Sequence, residues 1–141
     1  MLPARKGRVL VVDDEPAIRA LVAKIVERAG FGVDIAADGA EAIEKVNQTD
    51  YAVIVLDLMM PAVSGYEFVD MLQTRSGKRP SVIVITAAAE ASLTRQLDPS
   101  IVHSIVRKPF DINVLADLVT AAAGASSSNV GEDTNVLQFR R

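Results

Sequence analysis

The chain contains no cysteine and no tryptophan, and only 4% of its residues are aromatic. Without cysteine, a disulfide framework and a thiolate metal site are both excluded. No apolar run approaches the roughly 18 residues that a membrane-spanning helix needs, and the N-terminal apolar run is too short for a secretory signal. We therefore expect a cytoplasmic protein that does not insert into a membrane.

An excess of charge of one sign is missing as well, because 15 Lys and Arg residues stand against 18 Asp and Glu residues. The net charge of −3 gives no global basic signature of nucleic-acid binding. The length of 141 residues suits one domain, and 50% apolar residues are enough to build its core. We expect no second domain in this chain, and hence no direct binding of nucleic acid.

Short apolar runs alternate with longer amphipathic ones. Strands are predicted at residues 9–12, 32–37, 51–57, 80–87 and within 103–109, and helices at residues 16–30, 38–48, 64–75, 90–97 and 111–123. The best strands are continuous apolar runs, which is typical of strands covered on both faces in a parallel sheet. The pattern predicts an α/β fold with a doubly wound, five-stranded parallel sheet and helices on both faces.

Local signals support the helices. Pro16 stands in the first turn of the first helix, where its missing N–H does no harm. Asp38 with Glu41, and Ser64 with Glu67, have the spacing of a capping box. Apolar stripes on the first and last helices are predicted to face the core. The stripes comprise Ile18, Leu21, Val22, Ile25, Val26 and Ala29, and Val114, Leu115, Leu118, Val119 and Ala122.

Composition divides the chain into three regions. We expect an N-terminal extension over residues 1–6, one folded domain over residues 7–123, and a flexible C-terminal tail over residues 124–141. The predicted tail is rich in glycine, serine and other polar residues, which is typical of a segment that builds no core.

Polar side chains follow four of the five predicted strands at their carboxyl ends, where ligands bind in an open parallel sheet. These side chains are Asp13, Asp14, Glu15, Asp57, Thr86 and Lys108. Carboxylates that lie together repel each other unless a cation intervenes, and ligand sets made only of oxygen favour Mg²⁺, or Mn²⁺, over zinc. With Lys108 and Thr86 beside it, Asp57 is a candidate nucleophile toward a phosphoryl group.

Each of these residues alone has a simpler interpretation. Asp13 and Asp14 are also suited to the N-terminus of the first helix, Asp57 to a turn, Thr86 to an ordinary strand position and Lys108 to solvent. The single histidine is interpreted as a strand-edge residue without a functional role. The joint pattern at one edge of the sheet favours a shared pocket over these separate interpretations.

Four stretches together resemble the receiver domain of bacterial two-component response regulators, the chemotaxis-regulator-like family. They read "VLVVDDEP", "VIVLDLMMPAVSGYEF", "PSVIVITA" and "IVRKPF", and the resemblance covers about residues 7–123. It implies a flavodoxin-like fold with the strand order 2-1-3-4-5. It also implies a cytoplasmic phosphoprotein that works in signal transduction by phosphorelay.

The resemblance assigns roles to the polar residues at the sheet edge. Asp57 would accept a phosphoryl group from the phosphohistidine of a sensor histidine kinase or a histidine phosphotransfer protein. Lys108 and Thr86 would contact the phosphoryl oxygens, and Pro109 would hold the next turn, often through a cis bond. The implied ligands of Mg²⁺ are Asp13, Asp14, Asp57 and the backbone carbonyl of Met59. A downstream protein would read the face made by the fourth predicted helix, the fifth strand and the last helix.

Three departures from the family pattern matter, and one is that "LDPSIVHS" before the fifth strand lacks the Gly-Ala step commonly seen there, which predicts a short or shifted fourth helix. The other two concern the site. The family usually carries Tyr or Phe three residues before the lysine, as a switch coupled to the threonine, but here that residue is Ile105, which has no ring to swing. Met59 and Ala88 occupy the positions that tune hydrolysis of the acyl phosphate in such domains. Neither side chain can orient an attacking water, so we expect a long-lived phosphoryl state.

The leading hypothesis is a stand-alone receiver that signals through protein contacts and catalyses only its own phosphorylation and dephosphorylation. One alternative is a receiver fragment of a longer regulator, although the "FRR" at the end resembles a terminus. Another is a docking scaffold that works without phosphorylation. A phosphatase with an aspartate nucleophile is disfavoured, because such enzymes need a second carboxylate where Met59 stands.

Overall fold

The computed structural model describes residues 7–58, 60, 64–74, 79–87, 97 and 99–127. Its elements in chain order are β1 (Arg8–Val12), α1 (Pro16–Arg28), β2 (Gly32–Ala36), α2 (Gly39–Gln48), β3 (Val53–Asp57), α3 (Gly65–Thr74), β4 (Ser81–Thr86), β5 (Val102–Arg107) and the C-terminal helix (Ile112–Ser127). The predicted extension at residues 1–6, most of the predicted helix at 90–97, and residues 128–141 lie outside the described residues.

The strands form one five-stranded sheet in the order β2-β1-β3-β4-β5, and every neighbouring pair is parallel. This confirms the doubly wound α/β fold and the strand order that the resemblance implied. Because all the strands run in the same direction, their carboxyl ends lie along one edge of the sheet.

Both faces of the sheet are covered, because successive side chains of a strand point to opposite sides. Val9 and Val11 of β1 belong to the apolar cluster shared with α1 and the C-terminal helix, whereas Leu10 and Val12 belong to the cluster shared with α2 and α3. All four side chains are buried. Each such side chain contributes about 1.5–3 kcal/mol when it leaves water, so the continuous apolar runs specify a doubly covered sheet.

The predicted helix starts are largely confirmed. Pro16 lies at the beginning of α1, and Asp38 Oδ1 accepts the backbone N–H of Glu41 at 2.8 Å. Ser64 and Glu67 form a reciprocal capping box with distances of 3.2 and 2.9 Å. None of the helices in the described part of the chain has the combination of length and apolar character that a membrane crossing requires.

Three details of the helices differ from the prediction. Leu21 is 40% exposed and Val114 is 50% exposed, although both were assigned to core-facing stripes. They lie at the margins of those stripes, and a helix on a sheet buries only the centre of its stripe. The C-terminal helix continues past Ala123 to Ser127, because a glycine at position 124 weakens a helix by about 1 kcal/mol without ending it.

A β-bulge in β5 has no counterpart in the sequence analysis. Val102 pairs with Val82 of β4, but the next pair joins Ile83 to Ser104, so His103 is an additional residue. The bulge lets Val102 and Ile105 lie against the same apolar cluster, although they are three positions apart. The His103 side chain is buried, and its Nδ1 lies 2.6 Å from Ser104 Oγ.

A polar network joins β1 and β2 to Tyr51, which lies two residues before β3. The guanidinium of Arg8 donates to Asp34 Oδ1 at 2.7 Å, and the Tyr51 hydroxyl donates to Asp34 Oδ2 at 2.7 Å. The hydrogen bond from Arg8 is the main reason that the pKa of Asp34 is lowered. Burial, followed by the hydrogen bond to Asp34, raises the pKa of Tyr51 to about 12.

These pKa shifts predict how the network depends on pH. The contribution of Asp34 to the free energy of unfolding is present at neutral pH and is lost as the pH falls below about 4, through the lowered pKa. The contribution of Tyr51 is present below about pH 10 and is lost as the pH rises toward the raised pKa. The network therefore stabilises the fold across the neutral range.

We predict that the phenolate of Tyr51 appears with a midpoint near pH 12 in folded protein. Ultraviolet absorbance of a Tyr66→Phe variant would measure it cleanly, since the chain has two tyrosines and no tryptophan. Adding Asp34→Asn should lower the midpoint, because the neighbouring anion is removed while burial remains. Circular dichroism at each pH would establish that the protein is folded, and a midpoint near 10 in folded protein would contradict the network.

Candidate functional site

Two buried carboxylates meet at the carboxyl edge of the sheet. Asp57 is the last residue of β3, and Asp13 follows β1 directly. Val12 of β1 pairs with Leu56 of β3, so the next residues along both strands emerge side by side. Asp13 is only 3% exposed and Asp57 only 4%. The parallel register therefore holds two acidic groups together in a place where charge is poorly solvated.

A third carboxylate completes the cluster. One oxygen each from Asp13, Asp14 and Asp57 lies within 4.8 Å of the others. Burial is the main reason that the pKa of Asp13 is raised, although the N–H of Glu15 and the charge of Lys108 both act to lower it. The oxygen-only donors and their spacing fit a hard divalent cation such as Mg²⁺. The predicted further ligand, the carbonyl of Met59, lies outside the described residues.

Lys108 brings a positive charge to the cluster from the end of β5. Its Nζ lies 3.6 Å from Asp13 Oδ2 and 3.6 Å from Asp57 Oδ2, and it donates a hydrogen bond to Glu15 Oε1 at 3.2 Å. Burial acts to lower the pKa of Lys108, but the hydrogen bond to Glu15 and the nearby carboxylates outweigh it and raise the pKa. The ammonium group is therefore firmly protonated and partly balances the acidic cluster.

Thr86 and Pro109 lie next to this ion-pair network. Thr86 is the buried last residue of β4, and its carbonyl accepts the backbone N–H of Lys108 at 3.0 Å. The peptide bond between Lys108 and Pro109 is cis, as the resemblance implied. The N–H···O hydrogen bond ties the backbone of Lys108 to Thr86, the residue whose hydroxyl is the predicted donor.

The positions expected to tune or switch the site are only partly described. Ile105 lies in β5 opposite Val84 and packs, partly buried, against the apolar cluster shared with α2 and α3. Met59 and Ala88 lie outside the described residues. The structure therefore brings together Asp13, Asp14, Asp57 and Lys108, with Thr86 at the same edge, and leaves Ile105 partly buried against the apolar cluster.

Asp13 and Asp14 do not occupy the capping position of α1. That position belongs to Glu15, whose side chain makes no capping hydrogen bond. Asp13 Oδ1 instead accepts the N–H of Glu15 at 2.9 Å, and the Asp13 carbonyl accepts a hydrogen bond from the Arg19 guanidinium at 2.7 Å. Hydrogen bonds therefore fix both the side chain and the backbone carbonyl of Asp13. The role of Arg19 was not predicted, because its guanidinium bonds a backbone carbonyl six residues earlier and not a side chain at helical spacing.

Gly65 is a second residue of the site that the sequence analysis missed. It begins α3, and its N–H donates to the carbonyl of Leu58 at 3.1 Å. A Cβ at this position would lie 2.7 Å from Leu58 Cα and 3.0 Å from the carbonyl oxygen of Asp57. Only glycine leaves room for α3 to begin directly against the backbone that carries Asp57.

Known proteins resemble this chain over most of its length. The family model described as the response regulator receiver domain matches residues 9–120. The transcriptional regulatory protein ResD of Bacillus subtilis is 36% identical over 138 residues, which cover 94% of this chain and 56% of that protein. The chain spans about half the length of the curated relatives it matches.

Solved structures show the same fold. The receiver domain of the Francisella response regulator 1452 is 28% identical with a TM-score of 0.77, over 85% of this chain and 98% of that one. The chemotaxis response regulator CheY4 of Vibrio cholerae is 29% identical with a TM-score of 0.74, over 82% of this chain and 97% of that one.

We predict that Gly65→Ala lowers the free energy of unfolding by about 1–3 kcal/mol, because the new methyl group overlaps backbone atoms, which cannot shift as easily as a flexible side chain. The matched control is Gly124→Ala in the C-terminal helix, where an added Cβ has nothing within 4 Å. That control should gain roughly 0.5–1 kcal/mol, because alanine is the better helix former. Urea denaturation measures both variants, and equal effects would contradict the close approach at Gly65.

Proposed function

The chain belongs to the family of response regulator receiver domains, and we propose that it accepts a phosphoryl group on Asp57 in a reaction that requires Mg²⁺. The observation that carries this proposal is the position of the Lys108 ammonium, 3.6 Å from both Asp13 and Asp57. A fixed cation and a cluster of oxygen donors surround one carboxylate that ends a strand. Such a site holds a dianionic group while it is transferred.

The chemistry follows from the nature of the groups. A carboxylate oxygen of Asp57 attacks the phosphorus of a phosphohistidine on the donor protein, and a new O–P bond forms as the P–N bond breaks. The imidazole leaves and takes up a proton, and an acyl phosphate remains on Asp57. The Lys108 ammonium offsets the negative charge of the phosphoryl oxygens, and the Thr86 hydroxyl donates to one of them.

Mg²⁺ fits this proposal because the site has several acidic groups and one ammonium group close to them. Asp13, Asp14 and Asp57 would hold the ion, and it would supply positive charge opposite the phosphoryl oxygens. The backbone carbonyl of Met59 completes the proposed ligand set on the basis of the family pattern.

The proposed partners follow from the same reaction. The donor is a sensor histidine kinase or a histidine phosphotransfer protein in the cytoplasm. The receiver itself catalyses only its own phosphorylation and dephosphorylation. The signal passes to a downstream protein through the surface near β5 and the C-terminal helix, together with the predicted helix at 90–97. The net charge of −3 supports protein contacts over direct contact with nucleic acid.

We propose a stand-alone role for the domain, with one second candidate that a specific observation favours. The matched relatives include proteins named transcriptional regulators, and the chain spans about half their length. A receiver portion of a longer regulator would show the same site. The length of the polypeptide made in the source cells, measured by immunoblotting, separates these two proposals.

We predict that the protein takes up one phosphoryl group from acetyl phosphate when Mg²⁺ is present, and that Asp57→Asn takes up none. Intact-protein mass spectrometry measures the uptake. The matched control is Asp70→Asn, which makes the same chemical change at an exposed position of α3 and should leave uptake unchanged. Removal of Mg²⁺ with a chelator should reduce uptake to background.

Two outcomes of this experiment contradict the proposal. Equal uptake by the wild type and by Asp57→Asn would show that another group is modified. No uptake by either protein would favour the docking scaffold, which needs the fold but not the phosphoryl group.

We also predict a slow loss of the phosphoryl group, because the side chains of Met59 and Ala88 carry no polar group that could orient an attacking water. The decay is measured in isolated protein after the phosphodonor has been removed. Replacement of Met59 by Gln should shorten the lifetime, since an amide can hold a water near the phosphorus. A lifetime of seconds in the wild type would contradict this prediction.

A further inference from the structure

Glu15 is an acidic residue at the site for which the proposed reaction has no role. It occupies the capping position of α1 with an extended backbone, but its side chain makes no capping hydrogen bond. The side chain is 60% exposed, and its carboxylate accepts a hydrogen bond from Lys108 at 3.2 Å. The carboxylate of Glu15 therefore pairs with Lys108 and makes no hydrogen bond to the helix that it begins.

Glu15 is the nearest acidic partner of Lys108 among the described residues. The ammonium lies 3.2 Å from Glu15 but 3.6 Å from both Asp13 and Asp57. The Lys108 side chain is 16% exposed, between the buried Asp13 and Asp57 on one side and the exposed Glu15 on the other. Lys108 thus contacts two buried carboxylates and one exposed carboxylate at the same time.

This position has opposite consequences for the two ligands of the proposed reaction. A divalent cation and the Lys108 ammonium would compete for Asp13 and Asp57, and Glu15 would relieve this competition as a third partner of the ammonium. A phosphoryl group on Asp57, in contrast, needs the same ammonium for itself. Glu15 then competes with the phosphoryl oxygens for Lys108 and also repels their negative charge.

We propose that Glu15 is a positioning residue for Lys108, which favours binding of the divalent cation and opposes binding of the phosphoryl group. The inference rests on the proposed function, because it concerns the same cation and the same phosphoryl group. It distinguishes Glu15 from the cation ligands, whose removal would weaken both binding steps.

The test measures two affinities of the full chain by isothermal titration calorimetry. The first is the affinity for Mg²⁺ alone, and the second is the affinity for beryllofluoride, a stable mimic of the phosphoryl group, at saturating Mg²⁺. Glu15→Gln keeps the size of the side chain and removes its charge. We expect it to weaken Mg²⁺ binding and to strengthen beryllofluoride binding, each by about threefold, the size typical of an exposed ion pair.

Two further variants make the result specific. Glu27→Gln makes the same chemical change near the other end of α1, on an exposed side chain, and should leave both affinities unchanged. Glu15→Ala removes the charge together with the hydrogen-bond acceptor and should shift both affinities in the same directions as Glu15→Gln. Urea denaturation of each variant establishes that the protein is folded.

The outcomes separate this inference from the function on which it rests. Opposite shifts of the two affinities in the Glu15 variants, with no shift in Glu27→Gln, support it. Equal affinities in all proteins, or shifts in the same direction, overturn it while the proposed function stands. Failure of the wild type to bind either Mg²⁺ or beryllofluoride overturns both.

Discussion

The balance between one ammonium group and several carboxylates is the constraint on which the site depends. Asp13 and Asp57 are almost fully buried, and two such charges would not be held side by side without a compensating cation. Lys108 supplies part of that compensation at 3.6 Å from each. The remaining negative charge suits the site to a divalent cation, and in the proposed reaction the cation and the ammonium would together offset the charge of a phosphoryl group.

The fold makes this charge balance possible through backbone geometry. Parallel strands bring the ends of β1, β3, β4 and β5 to one edge, and helices on both faces bury the strands up to that edge. Gly65 allows α3 to begin against the carbonyl of Asp57, and Arg19 fixes the carbonyl of Asp13. The acidic groups are therefore supported by rigid elements, as a site that holds a small, highly charged ligand requires.

Much of this arrangement was predictable from residue patterns, because the patterns act locally. Continuous apolar runs predicted the doubly covered strands, and the spacing of Ser64 and Glu67 predicted the start of α3. The convergence of Asp13, Asp57 and Lys108 followed once the strands were taken as parallel. Other features depend on geometry between distant segments: the ion pair from Glu15 to Lys108 joins residues 93 positions apart, and the bulge at His103 adds one residue that no composition signal marks.

The most direct test of the central claim is a crystal structure of the protein with Mg²⁺ and beryllofluoride. We expect beryllium bound to a carboxylate oxygen of Asp57, Lys108 Nζ in contact with a fluorine atom, and the cation held by Asp13 and Asp14. A structure in which Asp57 carries no beryllofluoride, or in which Lys108 points away into solvent while the ligand is bound elsewhere, would contradict the account.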